Sequence, residues 1–176
     1  MIESLKILSL AIGAAVVYGI AHDNVTARVC VEYFTIGHPP VFDSASPTLL
    51  AFGWGVIATW WAGLILGVPA ALLSRIGSWP KLTARRLVRP AAWLVACIGT
   101  GSVLFGLAGY VAATNVWVWL VEPLASRVPP EKHVTFLANL WAHSAAYGIG
   151  GFGGVALCIW IVLHRRRLTM TAKTAS

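Results

Sequence analysis

Residues 48–73 read TLLAFGWGVIATWWAGLILGVPAALL, with no charged side chain anywhere in the stretch. A helix needs about 20 such residues to cross the roughly 30 Å hydrocarbon core of a bilayer, so this one can span with some tilt. Within it Gly55, Thr59, Gly63 and Gly67 recur every four positions. That spacing gives one helix face a ridge of small residues along which a second helix can approach closely. Pro69 is expected to kink the far end. The stretch therefore describes a membrane-spanning helix that needs partners.

Three other apolar runs supply them. Spans are predicted at about 5–22, 48–73, 91–114 and 134–164, leaving outer loops 23–47 and 115–133, a cytoplasmic loop 74–90 and a cytoplasmic tail 165–176. The third run carries Gly99, Ser102, Gly106 and Gly109, and the fourth carries Ala142, Ala146, Gly150 and Gly154, so both offer small-residue faces. The fold expected is an all-α membrane protein, a single integral membrane domain built as a four-transmembrane-helix bundle with a partly extended outer loop. Composition agrees: 58% of residues are hydrophobic and 11% charged, and the mean hydropathy is +0.77. The halves share small-residue spacing but no motif, which gives an inverted-repeat transporter no support.

The first run is short for a span. Lys6 before it and the small-x-small site Gly19-Ile20-Ala21 would suit a cleaved signal peptide, whereas Glu3 does not fit a positive leader. A retained first helix is the expectation.

The net charge of +7 is segregated. Arg75, Lys81, Arg85, Arg86 and Arg89 fall in one loop, and Arg165, Arg166, Arg167 and Lys173 in the tail. The other two loops hold only Arg28, Arg127 and Lys132, beside Asp23, Glu32, Asp43, Glu122 and Glu131. This is the positive-inside pattern, and it puts both termini in the cytoplasm. A nucleic-acid groove would interleave aromatics with these cations, and only Trp79 is there, so no nucleic-acid partner is expected. The partner is the lipid bilayer, its anionic headgroups included. The three cysteines, Cys30, Cys97 and Cys158, form no CxxC pair and imply no disulfide framework.

Residues 25–36 alternate imperfectly and are rich in Val, Thr, Tyr and Phe, which favours an extended segment. Gly37-His38-Pro39-Pro40 then breaks regular structure. The segment is too apolar to stand in water, so it should dock on the helix ends, with Arg28 and Glu32 paired to each other or across to His22 and His143.

Residues 27–40 (ARVCVEYFTIGHPP), then 46–50 (SPTLL) and 53–61 (GWGVIATWW), resemble a group of small bacterial membrane proteins to which no activity is attached. The resemblance covers mainly the first half of the chain. It implies a bacterial inner-membrane location and nothing about chemistry.

The polar residues gather at the outer end. His22, His38, His133 and His143 are the metal-ligand candidates; Asp23, Arg28, Glu32, Asn139 and Tyr147 are candidates for a supporting network. An ionisable residue inside a span is costly and marks a site by default, which singles out His143. Asn139, His143 and Tyr147 are four apart and share a helix face. Imidazoles with carboxylates suit Zn, Cu or Fe. No HxxH, HxxxH, HExxH or ExxH pair occurs, so any metal site must be assembled from distant segments, and no catalytic residue is assigned. Haem would need two histidines at like depth on facing helices, and only His143 clearly qualifies. The competing reading is a non-catalytic membrane protein, a homo-oligomer or an accessory subunit of a membrane complex, whose polar loop is structural.

The charge segregation yields a first prediction. A topology reporter fused after Ser78 should read cytoplasmic, and one placed at Ser44 or Ser126 periplasmic; the opposite pattern would reverse the orientation.

Overall fold

A computed structural model describes residues 1–174, with side chains as far as Thr171. The side chain of Lys173, part of the predicted cytoplasmic tail, and residues 175–176 lie outside the described residues. All regular structure in the described chain is helical: α1 (Ile2–Val29), α2 (Glu32–Thr35), α3 (Pro47–Ile57), α4 (Trp60–Arg75), α5 (Ala84–Thr114), α6 (Leu124–Arg127), a 3₁₀ turn (Pro130–Lys132) and α7 (His133–Thr174). Four units are long and apolar enough to cross a membrane: α1, α3 with α4, α5, and α7 with its leading turn. The chain is a multi-pass, all-α membrane protein built as a four-helix bundle.

Each span is longer than its apolar run suggested. The helix predicted at 5–22 continues to Val29, so the expected extended segment at residues 25–36 is instead the last turns of α1 followed by the short α2. β-branched residues lose to tertiary contacts here. Asn139 Nδ2 donates to the carbonyls of Thr26 (2.8 Å) and Cys30 (3.2 Å), a second hydrogen bond on carbonyls that the Cys30 and Tyr33 N–H groups also engage, and so ties the end of α1 to α7. Apart from Cys30 and Val31 between the two helices, the irregular part of this loop is residues 36–46. The helix predicted at 91–114 starts at Ala84, its first turns carrying Arg85, Arg86 and Arg89, and α7 runs beyond 164 through the arginines. Long basic side chains can lie along a helix while their charges reach the interface, so charge ends an apolar run without ending the helix.

The predicted span 48–73 is two helices. The interruption falls at Ala58–Thr59, not at Pro69, which sits within α4. Thr59 Oγ1 donates to Gly55 O four residues back, the local hydrogen bond by which Thr bends helices. The freed carbonyl of Ala58 accepts from the Tyr147 hydroxyl on α7 at 3.1 Å.

Two tight hairpins make up the bundle. α1 packs along α3 and α4, α5 packs along α7, and the two pairs meet more loosely. The small-residue ridge read from the sequence lies in the first seam: Gly55, Gly63 and Gly67 are buried against α1. A methyl group on Gly55 would sit 2.6 Å from both Ile20 Cα and Ile20 N, and one on Gly63 2.7 Å from Ile12 Cα. Apolar cores close both ends of the bundle. Phe34, Leu50, Trp54, Val128 and Phe136 fill the loop end, and Ile7, Leu82, Leu87 and Ile161 the basic end.

At the basic end the Arg165 guanidinium donates to the carbonyls of Ile76, Trp79 and Pro80, each at 2.9 Å, and to Leu73 O. One side chain on α7 thus organises the loop after α4.

The seam can be tested with two alanines. Gly55→Ala should lose about 1–3 kcal/mol, the usual cost of overpacking a filled contact. Gly13 lies on the same α1 with nothing within 4 Å of an added methyl, so Gly13→Ala should be neutral or gain up to about 1 kcal/mol. Thermal unfolding in detergent reads both, and equal melting temperatures would contradict this packing.

Candidate functional site

Between the two end cores, at the loose junction of the hairpins, three of the sequence candidates converge. His22 and Asp23 come from α1 and His143 from α7, and one ligand atom from each lies within 4.8 Å of the others. His143 is ten residues into α7, about 15 Å along the helix axis, and His22 lies about 10 Å from the end of α1. Both sit well below the end of the bundle. Asp23 and His143 are buried and His22 is nearly so. The His22 and His143 rings meet edge to face with centroids 4.4 Å apart.

Each imidazole has one nitrogen engaged by a hydroxyl. Thr26 Oγ1 gives its proton to His22 O at 3.2 Å, and so accepts from His143 Nε2, also at 3.2 Å. Ser102 Oγ gives its proton to Ala142 O at 2.6 Å, which leaves it to accept a long 3.5 Å contact from His22 Nδ1. His22 Nε2 is then a lone-pair nitrogen, buried and without a hydrogen-bond partner among the described residues. Among the described residues the Asp23 carboxylate receives no hydrogen bond, its nearest cationic candidate being His143 Nε2 at 3.9 Å, beyond hydrogen-bond reach. A carboxylate held like this within a span is expensive unless something neutralises it.

Beside the trio lies a cavity of about 380 Å³ that Asp23, His22 and His143 line together with His38, Tyr33 and Tyr147. α2 forms its ceiling. Tyr33 stacks on His143 at 4.6 Å and packs edge-on to Phe136 at 5.2 Å, while Phe34 is fully buried. The loop after α1 therefore docks on the bundle as expected, with its aromatic side chains inward. Burial pushes the Tyr33 phenol above its ordinary value.

His38 shares the cavity but stays outside the trio. Its Nδ1–H donates to Tyr33 O at 2.8 Å, and its ring lies 4.6 Å from Trp54. His133 is not in the site: its Nε2 donates to Val128 O at 2.9 Å, pinning the 3₁₀ turn. Arg28 and Glu32 do not pair with each other. Arg28 donates to Asn24 and to Thr48 Oγ1 at 2.9 Å, while Glu32 lies 3.6 Å from Lys132 and accepts from the Cys30 thiol at 3.4 Å. The reason is helical geometry: with α1 running to Val29, Arg28 faces α3, and Glu32 starts a separate helix that faces the start of α7. Both pairs are partly exposed, where such contacts contribute at most about 1 kcal/mol. Asn139 supports the end of α1, and Tyr147 the break in the second span.

Thr26 and Ser102, the hydroxyls that hold the two imidazoles, escaped the sequence reading. A Thr or Ser in a span is common as a small packing residue, and only the neighbouring helix reveals its partner.

Burial holds the His38 imidazole below its ordinary value, with the Tyr33 carbonyl offsetting part of that. The unfolded chain takes up a proton on this ring near 6.5, and the folded protein only at lower pH. The unfolded state thus binds more protons just below that value, and stability falls as pH drops through it. Melting temperature should decline from pH 7.5 to pH 5.5, and less steeply in His38→Gln; equal slopes would remove His38 as a contributor.

No family model, no curated protein and no solved structure matches this chain, so no relative's activity carries over to it.

Proposed function

We propose that this is a bacterial inner-membrane protein, with both termini cytoplasmic, that binds a transition-metal ion at His22, Asp23 and His143. The observation that carries the reading is the unmet chemistry of the trio. A buried imidazole nitrogen without a partner and a buried carboxylate without a donor stand within 4.8 Å of a second imidazole. One bound cation answers all three. A second observation supports the same reading for His22: its Nδ1 faces the Ser102 hydroxyl while Nε2 is left over, as in ligating histidines. On His143 the Nε2 nearest Asp23 is the nitrogen that Thr26 holds, so binding there takes that nitrogen from Thr26.

The donor set suits zinc, copper or iron. For zinc, bonds of about 2.0–2.1 Å at tetrahedral angles put ligand atoms about 3.4 Å apart. The trio is therefore somewhat open and would contract on binding. The junction between hairpins is where such a contraction costs least, because α1 meets α7 far more loosely than it meets α3 and α4. Three protein ligands leave a position for a fourth, on the side of the cavity.

Arg28, Glu32 and His133 belong to the alternative reading, a structural polar network, and their partners support that role for the loop ends alone.

Metal analysis of protein purified from membranes tests the proposal. About one ion per chain is expected, lost in His22→Ala and His143→Ala. Ser102→Ala, which removes only the hydroxyl behind His22, should weaken affinity by about 10–100-fold. Protein that is metal-free as isolated and takes up no Zn²⁺, Cu²⁺ or Fe²⁺ on titration would leave the structural network as the function of these residues.

A further inference from the structure

The cavity beside the trio has one polar end and one apolar end, and the apolar end does not face water. Its volume of about 380 Å³ lies in the range of small-molecule sites, roughly 300–1,000 Å³. At the far end it is lined by Trp61, Ile65, Tyr147 and Gly151, with Trp61 42%, Ile65 60% and Tyr147 46% exposed. These residues lie on α4 and α7, inside two of the spans. Gly151 is about 27 Å along α7 from His133, so the mouth opens at mid-span, sideways between the helices, toward hydrocarbon.

Two further features agree with an opening at this place. The α3–α4 interruption at Ala58–Thr59 borders the cavity, and irregular backbone at membrane depth is tolerated only where it is covered by protein or lines a cavity. Gly151 has nothing within 4 Å of an added methyl group, so the gap beside α7 is vacant at the mouth.

The lining specifies the occupant. Tyr33, Trp54, Trp61 and Tyr147 line it, and a largely aromatic wall favours a planar ring. At the inner end Asp23 receives no hydrogen bond among the described residues, so a ring that carries an O–H would find an acceptor there. A plain acyl chain would leave that carboxylate unmet, and an anionic headgroup would be repelled by it. We propose that the cavity binds a lipid-soluble phenol, an aromatic ring bearing a hydroxyl and a hydrocarbon tail, entering from the bilayer between α4 and α7. The hydroxyl donates to Asp23, the ring lies among the aromatic side chains, and the tail leaves past Trp61 and Gly151. This goes beyond the metal reading and does not rest on it, but the two share Asp23: a carboxylate oxygen that receives the hydroxyl is one a bound ion leaves free.

The probe is 2-bromo-4-hexylphenol, whose bromine quenches indole fluorescence, with bromohexylbenzene as the ring without a hydroxyl. Protein in lipid nanodiscs should show saturable quenching by the phenol, and weaker binding of the bromobenzene by about tenfold or more, the effect of one hydrogen bond to a charged group. Gly151→Phe, which fills the mouth, should abolish saturation, and Gly151→Ala should keep it. Ile65→Trp is the second plug should Gly151→Phe fail to fold, and melting temperature reports folding for all of them. Equal binding of the two probes, tighter binding of hexylamine than of hexylphenol, or unchanged phenol binding in a folded plugged variant would overturn the proposal. Repeating the titration on chelator-treated protein separates the two readings. Failure of the folded, metal-free protein to bind the phenol removes only this site, and protein that binds the phenol but takes up no metal on titration removes only the metal reading.

Discussion

The close approach of α1 to α3 and α4 is the constraint on which the rest of the structure depends. In a bilayer, lipid is as apolar as leucine, and helices associate through packing and buried hydrogen bonds instead of escape from water. Gly19 and Gly55 leave no room for a side chain where the two backbones meet. That contact fixes how α1 lies in the bundle, and with it which face of α1 turns toward α7. His22 and Asp23 sit just beyond Gly19 on the same helix, so the seam that joins one hairpin also aims the polar pair at the other.

The spans, their small-residue faces and the gathering of polar residues at one end were legible in the sequence because each rests on a local pattern. Length and hydropathy reveal a span, and a four-residue recurrence of glycine reveals a contact face. The extents of the helices were not legible. The apolar run stops at His22, but the helix continues for two more turns, because Asn139, more than a hundred positions later, holds its last carbonyls. The break at Ala58–Thr59 was hidden for a similar reason. A Thr within an apolar run reads as a small residue, and the Tyr147 hydroxyl that accommodates the freed carbonyl lies on another helix.

The candidate site shows the same division. His143 was visible as an ionisable residue inside a span, where such residues are costly. His22, at a predicted helix end, and Asp23, in the predicted loop, were candidates only because polar residues gather at that end. His133 and His38 carried an equal signal and landed elsewhere, His133 on a turn carbonyl and His38 against the aromatic ceiling. Nothing in the sequence distinguishes an imidazole that serves a loop carbonyl from one that faces another imidazole across a junction. Likewise the Arg28–Glu32 pairing failed on four residues of backbone. The intervening end of α1 turns the two side chains toward different neighbours.

Arg165 ties α7 to the loop after α4 through four carbonyls, and α7 is one continuous helix from there to His143. The two residues are about 33 Å apart along its axis. A slip of α7 by one residue would move His143 about 1.5 Å along the axis and swing it about 100° away from α1. The guanidinium therefore acts as an indexing pin at one face of the membrane, setting the phase of a rod whose working tooth is near the other face.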